Sequence, residues 1–245
     1  MPFSIPTLPP VTASQRALAA IAASVLELIL VALLAFFWVD RTAAPQDLPW
    51  KPFSMSQPIG LATKWKLDRI AADPALCRQA LDDAALSFAE APDRTQGFCS
   101  TANSLRLADP GLSPRGPVMR CDLALTYAVW RHHIVEPAAR RTLGSDLTRV
   151  EHFGTYACRT IYSQEGARPS NHATASALDV AGFRMKDGTQ VSVLRDYRDP
   201  GPKGAFLRQV RAGGCRLFGT TLGPDYNAAH ANHFHLDMGL WSICR

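Results

Sequence analysis

HANHFHLDMG, residues 230–239, holds three of the chain's seven histidines within six positions and follows them with Asp237. Read as a strand over 232–238, the stretch points His233, His235 and Asp237 to one face, because side chains alternate along an extended chain. Two imidazoles a pleat apart on one face can converge on a single point. One can hold a metal ion while the other works on a bound water. The competing reading is a polar strand face whose histidines are hydrogen-bonded and nothing more. What else in the chain reaches that face decides between them.

A second stretch supplies what is needed. SNHATASALDV, residues 170–180, carries His172 and Asp179 seven positions apart. In one straight strand these two would face opposite sides, so the segment reads as a loop that enters a strand. His172 falls in the loop and Asp179 at the strand start. The small residues between them, Ala173 to Ala177, let the loop pass close to another backbone. Two histidines and one aspartate make three ligands, and three protein ligands plus water is the usual open arrangement of catalytic zinc. Such an ion brings the pKa of a bound water toward ~7. Taken singly, His172 is also an ordinary loop histidine and Asp179 an ordinary strand-end cap.

Working outward, the pattern predicts an α+β domain, with helices flanking a small, mainly antiparallel sheet. Leu76, Ala80, Leu81, Ala84, Ala85 and Phe88 give helical spacing over 73–90. Leu123, Tyr127, Trp130 and Ile134 do the same over 120–134, where Pro137 is expected to end the helix. Residues 138–144 read as a further turn closed by Gly144, and 91–118 as loop-rich. Strands are expected at 149–153, 155–162, 178–183 and 190–194, with Asp187-Gly188 as the hairpin turn between the last two. Residues 205–217 read as a helix. Trp130 reads as core, His132 and His133 as exposed, and His152 as structural.

The N-terminus differs from the rest. Residues 17–39, ALAAIAASVLELILVALLAFFWV, hold one charge, Glu27. At ~1.5 Å per residue they cross a bilayer core of roughly 30 Å with some tilt. The run exceeds the apolar region of a cleaved signal, and Thr42-Ala43-Ala44 is a poor cleavage site, so the reading is a retained anchor. Glu27 at mid-membrane costs a few kcal/mol unless it is protonated or faces a partner. The division expected is a cytoplasmic tail at 1–16, a transmembrane anchor at 17–39, a Pro-containing linker at 40–72 and a domain at 73–245. Cys77, Cys99, Cys121, Cys158, Cys215 and Cys244 all follow the span and no CxxC occurs. Disulfides in an oxidising compartment, the periplasm, follow from this. The pairing expected, among fifteen possible ones, is Cys77–Cys99, Cys121–Cys158 and Cys215–Cys244. The net charge of +5 is scattered without a basic run, so no nucleic-acid partner is expected. A basic face suits an anionic polymer such as a cell wall.

The segments TYACR, SNHATASALDVAGF, LGPDYNAAHANHFHLD and the terminal ICR resemble the bacterial extensin-like C-terminal domain family, over roughly residues 75–245. The order HxxxxxxD and then HxH is similar to the LAS group of zinc metallopeptidases, which includes D-Ala-D-Ala peptidases, lysostaphin and the hedgehog fold. The resemblance implies zinc held by His172, Asp179 and His235. It implies that His233 assists the water or stabilises the transition state. D-Ala-D-Ala peptidases carry a glutamate three positions before the last ligand, where this chain has Asn232. That departure moves the likeness toward members assisted by histidine. HxxHxH is similar to the penicillin-insensitive murein endopeptidases, which implies a substrate-site role for His230. Arg159 matches a substrate-binding arginine, whose fork suits a carboxylate. Ser170 matches a serine of the metal loop, as substrate contact or turn cap, and Tyr226 and Asn227 are weaker cleft candidates.

The function implied is zinc-dependent hydrolysis of stem-peptide or cross-link amides of peptidoglycan, at the outer face of the cytoplasmic membrane. His233 and Arg159 are the expected catalytic pair. The rival is a zinc-containing cell-wall binding or structural module without hydrolysis, since a site can outlast a reaction on the same fold.

Overall fold

The computed structural model describes residues 12–239 and 242–245. Most of the expected tail at 1–16 lies outside them. Thr12 opens helix α1, Ala13–Thr42, with a capping box: its hydroxyl accepts from Gln15 N–H, and the Gln15 side chain accepts from Thr12 N–H at 2.8 Å. The helix overruns the expected span at both ends and buries no residue. By length and composition it suffices to cross a membrane. It belongs to a unit ending at Ala44; Pro45–Arg245 forms the second unit.

The expected linker belongs largely to that second unit. Leu48, Ala62, Thr63 and Leu67 are buried, and helix α2 spans Thr63–Ala71. Lys66, only 4% exposed, ties this segment together. Its ammonium donates to the carbonyls of Pro45 (2.7 Å) and Pro52 (3.4 Å), so the Pro-rich chain wraps a buried cation. Helix α3 is Pro74–Asp83, with Asp73 accepting from Ala75 and Leu76 N–H. It stops short of the predicted residue 90. Ala85 turns the chain at φ 54°, and Phe88 begins a strand instead.

The strands that follow are β1 Phe88–Glu90, β2 Thr95–Gln96, β3 Cys99–Ser100, β4 Ser104–Leu107, β5 Leu112–Ser113 and β6 Val118–Arg120. Helix α4, Cys121–Trp130, is buried on every side. Pro137 does not break it. The chain passes through one wide π turn, Arg131–Val135, into α5, Glu136–Leu143, where Pro137 sits in the first turn. Gly144, at φ 67°, closes α5 as expected. His133 is half-buried rather than exposed, its ring bonded to Met55 O at 2.8 Å. His152 meets Pro114 O at 2.8 Å.

The remaining elements are β7 Leu147–Gly154, β8 Ala177–Met185, β9 Gln190–Ser192, α6 Val193–Asp196, α7 Pro202–Gly214, β10 Thr220–Leu222, β11 Phe234–Asp237 and β12 Ile243–Cys244. The largest sheet among the described residues runs β12-β10-β11-β8-β7-β5, with β9 also on β8. Its pairs are antiparallel except β10–β12 and β5–β7, so the architecture is α+β and mainly antiparallel. Residues 155–162 do not form the expected strand. They run beside the metal-loop segment, whose Pro169 has no N–H to extend a ladder, and make one isolated bridge, Thr160–Pro169.

Strand β8 carries the core and the site on one backbone. Leu178 and Val180 enter the core, and so do Phe183 and Met185. Even and odd positions can share a face only if the alternation slips. It does: β7 pairs Glu151 with Gly182 and His152 with Val180, so Ala181 is an unpaired extra residue. At the end of α4, Trp130 packs against Phe183 and Phe218 and donates its indole N–H to Val210 O at 3.0 Å.

The disulfides are Cys77–Cys121, Cys99–Cys158 and Cys215–Cys244. Only the last agrees with the expected pairing. The first staples α3 to the start of α4, and the second ties β3 to the segment before the metal loop. Spatial neighbours, not sequence neighbours, decide the partners. By chain entropy, a bridge closing 44 residues is worth about 4 kcal/mol. Replacing Cys77 and Cys121 together with alanine is expected to lower the unfolding free energy of 45–245 by about that much, read as a shifted urea midpoint.

Candidate metal centre

Two ligands come from strand register. β11 pairs antiparallel with β8 so that His235 stands directly opposite Asp179. Opposed residues share a face with Cβ atoms ~5 Å apart. Phe234 and Leu236 face the core, which sends His235 and Asp237 to the other side with Asp179. The third ligand comes from a short 3₁₀ turn, Asn171–Thr174. Ser170 caps it, its hydroxyl accepting from His172 N–H at 3.3 Å, and Ala175 ends it in the left-handed region. Ala173, Ala175 and Ala177 are wholly buried. The small residues let the turn sit against the start of α4, where Arg120 N–H bonds to Ala175 O.

The three ligand atoms meet. His172 Nε2 lies 3.2 Å from Asp179 Oδ1 and 3.2 Å from His235 Nδ1, and His235 Nδ1 lies 2.9 Å from Asp179 Oδ1. A tetrahedral ion with bonds near 2.0–2.1 Å has ligand edges of about 3.3 Å, so this donor set fits one ion. The hydrogen-bond pattern points the same way. His172 Nδ1 faces Thr155 O at 3.1 Å, and His235 Nε2 faces Asp237 Oδ2 at 2.9 Å. A carbonyl and a carboxylate only accept, so each ring donates its proton outward. Each inward nitrogen then presents a lone pair, beside a carboxylate oxygen. Three acceptors converging on one point could hold a metal ion.

Electrostatics agree. Burial opposes ionisation of Asp179, yet without a metal ion inward protons on His172 and His235 would bond to its carboxyl and hold it well below the usual range. Burial alone would lower His235, but Asp179 and Asp237 overcome it and raise its pKa to about 9. A metal ion bound at this point would take the place of that proton. Asp237 in turn accepts from Gly239 N–H at 2.7 Å, which fixes the carboxylate that orients His235.

The other expected residues gather around this point. His233 lies just before β11, with Nε2 3.5 Å from Asp179 Oδ1 and Nδ1 2.8 Å from Asn232 Oδ1. Burial lowers its pKa, which favours the neutral ring. Phe153 packs edge-on against it, ring centres 5.9 Å apart. His230, held near pKa 4 by burial and then by His233 and His235, bonds to Asn227 Oδ1 at 2.7 Å. Asn227 Nδ2 donates across the cleft to the Tyr162 hydroxyl at 2.8 Å. Arg159, Ser170, Tyr226 and His230 line a cleft of about 720 Å³ with Asp179, His233 and His235. Sequence reasoning left Asp237, Thr155, Phe153 and Tyr162 without roles. Asp237 had a signal, the period-two series His233, His235, Asp237; the others act through backbone or tertiary contact and had none.

Neither a curated protein nor a solved structure matches this chain. Residues 75–245, most of the chain and all of the candidate metal cluster, match the family described as extensin-like protein C-terminus. The three ligands, their outward partners and the cleft lie inside the matched region, and the chain belongs to the extensin-like C-terminal family.

Proposed function

We propose that this protein is a zinc-dependent peptidase acting on amide bonds of peptidoglycan stem peptides or cross-links, with the LAS metallopeptidases as its mechanistic kin. The observation that carries the reading is the convergence of three acceptors, His172 Nε2, Asp179 Oδ1 and His235 Nδ1, with both ring protons committed outward. Zinc bound there would supply a Lewis acid and a water of near-neutral pKa. His233, neutral and beside the ligands, accepts a proton from the attacking water and returns it to the departing amine. Its protonated form also offsets negative charge developing on the scissile carbonyl. Arg159 binds a substrate carboxylate, and His230, locked by Asn227, shapes the adjoining wall. Thr155 and Asp237 hold the two imidazoles in the tautomers that binding needs. The apolar helix α1 serves as a membrane anchor rather than a cleaved signal, and the three disulfides suit a periplasmic domain.

Metal content of purified wild type and His172→Ala, beside muropeptide analysis of digested peptidoglycan, tests the reading. About one zinc per chain, lost in the variant, with new muropeptides that vanish on chelation, is the expected result. Zinc without new muropeptides would favour a binding module, and no metal would overturn the assignment. His233→Ala is expected to keep its zinc and lose roughly 10²–10⁴-fold in kcat. Asp237→Ala is expected to weaken zinc binding by about 10–100-fold, read by competition with a chelating dye. Because the His235 pKa is raised, the metal-free site is protonated at neutrality. Zinc affinity therefore rises about tenfold per pH unit from pH 7 and levels off near pH 9, with about one proton released per ion. Calorimetry in buffers of different ionisation enthalpy counts that proton.

A further inference from the structure

Residues 159–170 form a flap at the edge of the metal centre. Its bridge, Thr160 opposite Pro169, is flanked by Ser170 N–H to Arg159 O at 3.1 Å and Ile161 N–H to Arg168 O at 2.9 Å. This register sets Arg159 opposite Ser170 and Ile161 opposite Arg168. In an antiparallel pair, those four side chains lie on one face. All four line the cleft. The flap tip is a tight turn in which Tyr162 and Ser163 both hold φ near 55°, at 53° and 56°. Side chains with a Cβ rarely adopt that conformation, so the surrounding contacts must hold the turn in place. The Tyr162 hydroxyl, tied to Asn227, fixes the tip to the opposite wall.

The two flap arginines stand one diagonal step apart, roughly 7–8 Å by strand geometry. Neither meets a carboxylate among the described residues. Arg159 reaches only its neighbour's carbonyl, Thr160 O, at 3.4 Å, and Arg168 is exposed. The third arginine of the cleft, Arg120, is taken by Asp122. Asp179 and Asp237, the acids that line the same cleft, are taken by the histidines. Two like charges side by side without a counter-charge repel each other, and an anionic ligand relieves that repulsion. A guanidinium binds a carboxylate through a planar fork, so two of them suit two carboxylates on one molecule.

We infer that Arg168 is a specificity-determining residue which, with Arg159, clamps peptides bearing two carboxylates. The inference rests on the peptidase reading for the ligand being a peptide, and on the flap for its charge. The test uses the full zinc-loaded chain in detergent micelles. Its probes are a stem pentapeptide containing diaminopimelate and the same peptide with the diaminopimelyl carboxylate amidated. Affinity is measured by calorimetry on the His233→Ala background, and cleavage on the wild type. Arg168→Gln is expected to weaken binding of the free-acid peptide about tenfold and to leave the amidated peptide within about twofold. Arg168→Lys is expected to fall between, because it keeps the charge and loses the fork. Unchanged zinc content and circular dichroism confirm the fold of each variant. Equal affinity of the wild-type site for both peptides, or equal weakening of both by Arg168→Gln, overturns the clamp while leaving the peptidase standing. Selective binding without cleavage leaves the clamp standing and overturns the peptidase. Neither binding nor cleavage overturns both.

Discussion

The pairing of His235 with Asp179 across β8 and β11 is the constraint on which the rest depends. A strand pair in fixed register sets two side chains on one face at a distance that neither can alter alone. The same register sends Phe234, Leu236, Leu178 and Val180 into the core. A slip by one residue would expose those four and bury the ligands. The hydrophobic effect therefore enforces the placement of His235 opposite Asp179. His172 is brought in by the capped turn at Ser170 and held by a backbone carbonyl, Thr155 O.

What surrounds the ligands is organised by the direction of each proton. Carbonyl and carboxylate partners draw the imidazole protons away from the centre, and the inward atoms are left as acceptors. The same logic extends through the cleft. Asn227 holds His230 on one side and Tyr162 on the other, so one amide links two walls. The Cys99–Cys158 bridge anchors the segment that carries Thr155 and Arg159. Position, more than chemistry, is what the loops contribute.

Much of this was legible in the sequence, and the parts that were not share a cause. Period-two alternation exposed HFHLD, and the seven-residue spacing of His172 and Asp179 required a loop entering a strand. Both are local signals, and the three residues they pointed to do meet. The helix of α1 and the hairpin at Asp187-Gly188 were equally local. The disulfide partners of Cys77 and Cys99 depend on which elements pack together, which no spacing encodes. Pro45, Pro49 and Pro52 read as a linker because prolines punctuate chains, and only the buried Lys66 ammonium shows what they wrap. Residues 155–162 have strand composition, but their neighbour is a proline-bearing loop rather than a ladder.

The unpaired Ala181 has a bearing on how this protein can vary. Before that residue the even positions Leu178 and Val180 enter the core and Asp179 faces the His/Asp cluster; beyond it the odd positions Phe183 and Met185 enter the core, and Arg184 turns outward to Glu151. The strand is therefore two half-strands with opposite phase joined by one residue. Conservative exchanges at Leu178, Val180 or Phe183 alter packing and leave the phase intact. Deleting a single residue between Asp179 and Phe183 would set the halves in step and pit the chemistry against the core. The length of this segment is a stricter condition on the fold than its composition.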